Sequence, residues 1–205
     1  MSTKYNSNKM YPKVFDGYQK FKKIYSENKQ FSGNIHEQNP EVMVVSCSDS
    51  RVDPAILFQC DPGEIFVIRN MANIIPPYEN DNGHHGTSAG LEYGVCFLQV
   101  KHLIILGHSS CGGVKARVSN NMKHTDFIND WVNQINICDS IPNTDVDSHS
   151  KKSIIHSFNN CMTFPWINER VKSGQLYLHP WYLDISDTQL YQYNKNIDDF
   201  DKIEV

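Results

Sequence analysis

The sequence predicts an α/β fold: a central, mostly parallel sheet of about four strands plus a short edge strand, flanked by helices and preceded by a helical N-terminal extension. Three observations predict it. Val42–Val45, Ile65–Ile68 and Leu103–Leu106 are short, continuous apolar runs, the pattern of strands covered on both faces. Segments with apolar residues three or four apart lie between and after them. Breakers such as Pro76-Pro77, Asn82-Gly83 and Lys172-Ser173-Gly174 separate the two patterns.

The elements follow in order. Over residues 1–35, Val14, Phe15, Tyr18, Phe21 and Phe31 include spacings of three and four, which predicts one or two amphipathic helices. Val42–Ser46 is the first strand and ends abruptly at the polar stretch Cys47-Ser48-Asp49-Ser50-Arg51. Ile65–Arg69 is the second, and Leu103–Leu106, closed by Gly107, the third. A helix is expected from about Thr87, an acceptable N-cap, with Leu91, Val95 and Leu98 on one stripe. Another is expected over Asp126–Cys138, where Phe127, Trp131, Ile135 and Cys138 recur at helical spacing. Ser150–Val171 is helical with a start or kink at Pro165, and Gly174 closes it. Leu176–Ile185 makes a fourth strand and Leu190–Tyr193 a short edge strand.

At 205 residues the chain is expected to form one domain over 1–205, with residues 1–35 as its helical arm. Lys and Arg total 19 against 23 Asp and Glu, a net charge of −4. That offers no basic excess for a phosphate backbone, so nucleic acid is not an expected partner. The longest apolar runs are far short of the ~20 residues a membrane span needs, so no membrane is expected either. The polar N-terminus has no signal-peptide core, which leads to a cytoplasmic expectation. Six cysteines spread through such a chain favour metal-binding or catalytic thiols over a disulfide framework. Most of them are expected to be plain buried residues.

Chemistry gathers at strand ends. In open parallel sheets, loops at the carboxyl ends share one crevice. The first strand delivers Cys47, with Asp49 and Arg51 two and four positions on; the third delivers His108 and then Cys111. If the two strands are neighbours, two thiolates and an imidazole converge. That is a Cys₂His set, one of the arrangements that hold catalytic zinc and leave a fourth position for water. Gly112 and Gly113 permit a tight turn into a helix start. A lone Cys after a strand is usually a core residue, and a lone His-x-x-Cys arises by chance; both together, beside an acid and an arginine, favour the metal site.

The segments Val45–Val52, Pro62–Asn73, Gly86–Tyr93 and Gly107–Gly113 resemble the β-class carbonic anhydrases, closer to the plant-type subclass. The likeness is dense over residues 36–118 and returns in Leu178–Ile185, where Pro180 stands at a frequent glycine position. The resemblance implies a zinc enzyme that interconverts CO₂ and bicarbonate, with one Zn²⁺ per chain. It implies Cys47, His108 and Cys111 as zinc ligands. Asp49 and Arg51 match a catalytic pair in which the arginine holds the carboxylate off the metal, so that the carboxylate orients zinc-bound water. Asp49 would ligate zinc only in a closed, inactive state. Gln38, Phe66, Met71 and Tyr93 match the substrate pocket, Met71 replacing the usual valine, and Gly112 matches a backbone donor near zinc. In that subclass the Gln, Phe and Tyr come from the neighbouring subunit, which implies a homodimer or homotetramer.

Departures matter as well. Val44 stands where a second subclass has the tryptophan of an inhibitory bicarbonate site, and Phe97 stands at a frequent proton-accepting histidine. The proton shuttle is therefore unassigned, although His84 and His85 lie in a polar loop. Hydrolysis of carbonyl sulfide or carbon disulfide on the same site is a second enzyme reading, separable by assaying each gas. A non-catalytic, zinc-stabilised interaction module is a third. It would need a fourth protein ligand, and none is evident near these motifs.

Overall fold

The apolar runs do form strands, and they form them side by side. In the computed structural model, which describes residues 12–27, 37–120 and 125–204, β1 (Val42–Cys47) pairs in parallel with both β2 (Ile65–Asn70) and β3 (His102–His108). β4 (Tyr177–Asp184) adds in parallel to β3. β5 (Gln189–Asn194) and β6 (Asp199–Lys202) then extend the sheet antiparallel, giving the order β2-β1-β3-β4-β5-β6. With β1 between β2 and β3, the turn after β1 lies beside the turn after β3.

Side-chain alternation divides each strand between two layers. Met43, Val45, Leu103 and Ile105 point into one buried cluster with Leu91, Ile154, Phe164 and Ile167. Val44, Ile104 and Leu106 face the other way, with Val52 and Leu183. A third cluster caps the carboxyl end of the sheet and joins Cys47 and Cys111 to Ala72, Ile74, Val114, Val132 and Ile135. The two cysteines therefore sit in apolar surroundings, away from bulk water.

The helices arise from local signals. α1 (Pro12–Glu27) is one helix whose Val14, Tyr18 and Ile24 remain exposed; the remainder of the expected arm over 1–35 lies outside the described residues. α2 (Pro54–Leu57) was not expected. Asp53 caps it by accepting from Ala55 N and Ile56 N, and Pro54 occupies its first turn. α3 (Gly86–Glu92) starts one residue ahead of Thr87 and runs into a π-helical turn over Tyr93–Phe97. Thr87 is not its cap, because its hydroxyl accepts from Asn70 Nδ2 at 3.1 Å. α4 (Gly112–Ser119) follows Cys111 directly.

The helix expected over Asp126–Cys138 is much shorter: α5 covers Ile128–Val132. Phe127 is 82% exposed and outside the stripe it was expected to join, and Arg117 Nε donates to Ile135 O at 3.3 Å, taking a carbonyl beyond the helix end. The expected Ser150–Val171 segment is two helices, α6 (Val146–Cys161) and α7 (Pro165–Lys172), with Pro165 at the start of α7. α6 begins earlier than expected because Asp145 accepts from Ser148 N. β6 was also missed: among its residues Asp199, Phe200, Asp201 and Lys202, only Phe200 is an apolar signal, and it packs on Tyr182 and Tyr193. Among the described residues, no helix is long and apolar enough to cross a membrane.

At Gly107, β3 packs closely against α6. A Cβ there would stand 2.5 Å from Ile154 Cδ1 and 2.6 Å from Ile154 Cγ1, whereas at Gly112 it would meet nothing within 4 Å. Gly107→Ala is expected to lower stability by about 1–3 kcal/mol in urea unfolding. Gly112→Ala should stay within about 0.5 kcal/mol of the parent.

Candidate metal centre

Each strand delivers its residue at the moment its ladder ends. Cys47 is the last residue of β1, and His108 the last of β3. The turn Ser109-Ser110 then brings Cys111 back to the start of α4. One ligand atom from each of Cys47, His108 and Cys111 lies within 4.8 Å of the other two. The two sulfurs are 4.0 Å apart, too far for the ~2.05 Å of a disulfide. Sulfurs bound at ~2.3 Å to a tetrahedral ion would stand about 3.8 Å apart. All three side chains are buried, His108 completely.

The imidazole is oriented as a ligand. His108 Nδ1 lies 2.8 Å from Ser109 O, so Nδ1 carries the proton and donates. Nε2 is then left with its lone pair, buried and without a hydrogen-bond partner. An orphaned buried acceptor costs ~1–3 kcal/mol unless something meets it. Hydrogen bonding from Cys111 is the main reason the Cys47 thiol is pulled below the usual thiol range, and it outweighs burial, which raises it. The same contact, reinforced by burial, pushes Cys111 far up. The pair thus shares one proton that a cation would displace, since metals bind thiolates. An orphaned imidazole nitrogen, two close sulfurs and an apolar wall fit zinc.

Beside the triad sits the acid. Arg51 Nε donates to Asp49 Oδ1 at 2.9 Å and Nη2 to Oδ2 at 2.8 Å, a two-pronged bond, and Arg51 N adds a third contact to Oδ1 at 3.0 Å. Asp49 Oδ2 reaches 3.9 Å from His108 Nε2. The Arg51 bond holds the Asp49 carboxyl well below the usual carboxylate range.

Several supporting residues were not picked out in the sequence. Arg69, at the end of β2, donates from Nε to Cys47 O at 3.1 Å, from Nη2 to Asp49 O at 2.7 Å, and from Nη1 to Asp53 Oδ2 at 2.7 Å. It ties down the backbone of both site residues and the cap of α2. Ser109 Oγ accepts from Ile185 N at 2.9 Å, joining the turn after β3 to the end of β4. Trp131 Nε1 donates to Met71 O at 2.8 Å. The one local signal was an arginine directly after an apolar run.

The expected pocket residues divide into two groups. Gly112 opens α4 directly after Cys111, and Met71 lies against the first turn of α4, its Cγ and Sδ 3.1 and 3.2 Å from where a Gly113 Cβ would be. Phe66 is opposite Met43 in the β1–β2 register, four residues or ~13 Å back along the strand from Cys47. Its ring meets Tyr93 at 5.8 Å, and Tyr93 stacks on Phe97 at 5.8 Å. Gln38 is exposed ahead of β1. The fold therefore does not bring Phe66, Tyr93 or Gln38 to the triad of their own chain. His84 and His85 border a cavity of about 430 Å³ with Trp131 and His156, and His85 Nε2 pairs with Asp81 at 2.6 Å.

Fold and donor set define a class: a protein with a mostly parallel sheet, a Cys₂His donor set and an arginine-held aspartate. Residues 42–190 match the carbonic anhydrase family. The chain is 35% identical over 193 residues to β carbonic anhydrase 6, mitochondrial, of Arabidopsis thaliana, covering 87% of this chain and 66% of that protein. It is 32% identical over 201 residues to a Synechocystis carbonic anhydrase, covering 92% and 73%. The solved β-carbonic anhydrase CcaA superposes with a TM-score of 0.83 at 30% identity, over 94% of this chain and 98% of that one. A tetrameric β-carbonic anhydrase of Sordaria macrospora gives 0.69 at 25% identity, over 88% and 92%. The chain belongs to the β class of the carbonic anhydrase family. The Arabidopsis relative is mitochondrial by name, and another is chloroplastic, so the relatives' names do not confirm the cytoplasmic expectation.

Two outcomes test this geometry. Arg69→Ala should lower stability by about 2–3 kcal/mol, the worth of charged hydrogen bonds to backbone. Arg69→Lys should not restore it, because a lysine cannot fork; urea unfolding reads both. For Asp49, the folded chain favours the ionised carboxylate, so its contribution is complete above the ordinary ~3.9 and is lost only as pH falls below that value. The stability gap between the parent and Asp49→Asn should therefore be present at neutral pH and close in strong acid.

Proposed function

We propose that this chain catalyses the reversible hydration of carbon dioxide to bicarbonate and a proton, with a single zinc held by Cys47, His108 and Cys111. The observation that carries the reading is the buried, unpartnered Nε2 of His108 facing two close cysteine sulfurs. When bound, zinc supplies Lewis acidity that brings water ionisation from 15.7 toward ~7. Two thiolates cancel its charge, so the midpoint here is expected above that of a His₃ site.

The chain's own residues do the rest. Asp49 accepts an O–H of the reacting water and so aims its lone pair at carbon dioxide. Arg51 engages both carboxylate oxygens, including the Oδ2 nearest His108, which keeps Asp49 from closing the centre itself. Met71 offers an apolar wall to a nearly non-polar gas, and the Gly112 N–H a donor to the bicarbonate formed. Gln38, Phe66 and Tyr93 complete the pocket of a second copy, so the working unit is a homodimer or homotetramer. Exposed apolar positions on α1 and the exposed rings of Tyr93 and Phe97 support that assembly. Residues 1–205 act as one domain in this reading.

Zinc content and stopped-flow CO₂ hydration measured on one sample test it. Cys111→Ala is expected to lose zinc and to lose activity by more than the ~10–100-fold that outer partners cost. Arg51→Ala should keep zinc yet lose activity. Zinc retained with near-parental turnover in Cys111→Ala would end the assignment, and an active monomer in light scattering would end the shared pocket.

A further inference from the structure

The turn between His108 and Cys111 is held at Ser109 by the end of β4 and at Ser110 by α6, whose Val146 also packs on the apolar cluster around Cys47 and Cys111. Asp147, in the first turn of α6, accepts a hydrogen bond from Ser110 N at 2.6 Å. Ser110 has φ 54°, a left-handed conformation in which a residue with a Cβ is strained. Something must hold it there. Its carbonyl is turned toward Arg51, whose Nη2 lies 3.4 Å away and also donates to Asp49 Oδ2 at 2.8 Å. The residue therefore gives its N–H to Asp147 and its C=O to Arg51.

Asp147 is free for this task because Asp145 already caps α6, accepting from Ser148 N at 3.0 Å. The helix is a firm support. One turn on, Lys151 Nζ lies over the rings of Tyr182, Tyr191 and Phe200 at 5.1, 5.5 and 5.9 Å, contacts that favour a cation. Farther along, Ser157 Oγ accepts from Ile75 N at 3.1 Å, and Asn160 Nδ2 donates to Ile75 O at 2.8 Å.

We infer that Asp147 is a positioning residue for the Asp49–Arg51 pair: by fixing the backbone of Ser110 it fixes the guanidinium that keeps Asp49 in place. The inference deepens the proposed function and rests on it for its catalytic consequence, while the arrangement itself involves only groups of this chain.

The test compares Asp147→Ala with Asp147→Asn, which keeps an oxygen acceptor. Solvent exchange of the Arg51 Nε–H, followed by ¹H–¹⁵N spectroscopy, is expected to accelerate at least about tenfold in the alanine variant and to stay near the parental rate in the asparagine variant. In the zinc-loaded enzyme, kcat should fall about 10–100-fold in Asp147→Ala at unchanged zinc content, with KM little changed and with recovery in Asp147→Asn. Unchanged Arg51 exchange in Asp147→Ala overturns the inference, whatever happens to activity, because a loss of activity alone would be a merely structural effect. Equal losses in both variants overturn it too. If the alanine variant does not fold, Asp147→Ser, too short to reach Ser110, replaces it in the same comparison. A parent that hydrates no CO₂ would sink the proposed function, and the exchange measurement would still decide the role of Asp147.

Discussion

A buried Cys₂His set can form only if two strands end next to each other, and the pairing of β1 with β3 is what supplies this. Residues far apart in the chain, Cys47 and His108, become neighbours because Val42–Ser46 runs in register with His102–Leu106. Were another strand to separate them, at ~4.8 Å per strand, the imidazole could not reach the sulfurs. The continuous apolar character of both strands is thus a requirement of the site as well as of the core: each must be covered on both faces to lie in the middle of the sheet. Arg69 adds the third strand to the same junction, since it reaches from β2 to the backbone at Cys47 and Asp49.

Burial and charge oppose each other at this junction. Two thiolates in an apolar cluster, with a partly buried carboxylate beside them, are expensive to desolvate unless they are matched. The aspartate is matched by Arg51, whose side chain is half exposed and so retains part of its own hydration. A divalent cation would match the thiolates. The division of labour is chemical: the guanidinium engages both carboxylate oxygens in a fork, leaving the soft donors to the metal. The same logic makes the turn at Ser110 sensitive, because its two backbone groups connect the arginine to a helix outside the centre.

Much of this was readable in the sequence, for identifiable reasons. Cys47, Asp49 and Arg51 form one local string, His108 and Cys111 another, and each follows an apolar run that marks its strand. The inner strands were legible because continuous burial leaves an unbroken apolar signature. What was not legible depends on partners distant in sequence. Asp147 meets Ser110 from the first turn of α6, and Arg69 reaches from β2 to Cys47, Asp49 and Asp53; neither has a local pattern. β6 escaped because an edge strand with a single buried ring, Phe200, has no alternation to detect. The helix assigned to Asp126–Cys138 had the right periodicity, yet the chain after Val132 turns away, and Phe127 faces solvent. Phe66 and Tyr93 illustrate another limit: their proposed task belongs to a second copy.

We propose that the junction of β1, β3 and α4 holds a single zinc through two sulfurs and one imidazole nitrogen. Anomalous diffraction at the zinc edge, on crystals of the protein as purified, tests it most directly. One strong peak per chain is expected, at ~2.3 Å from the sulfurs of Cys47 and Cys111 and ~2.0–2.1 Å from His108 Nε2, with Asp49 still forked to Arg51. A peak elsewhere, or no peak with the two sulfurs joined as a disulfide, would contradict it.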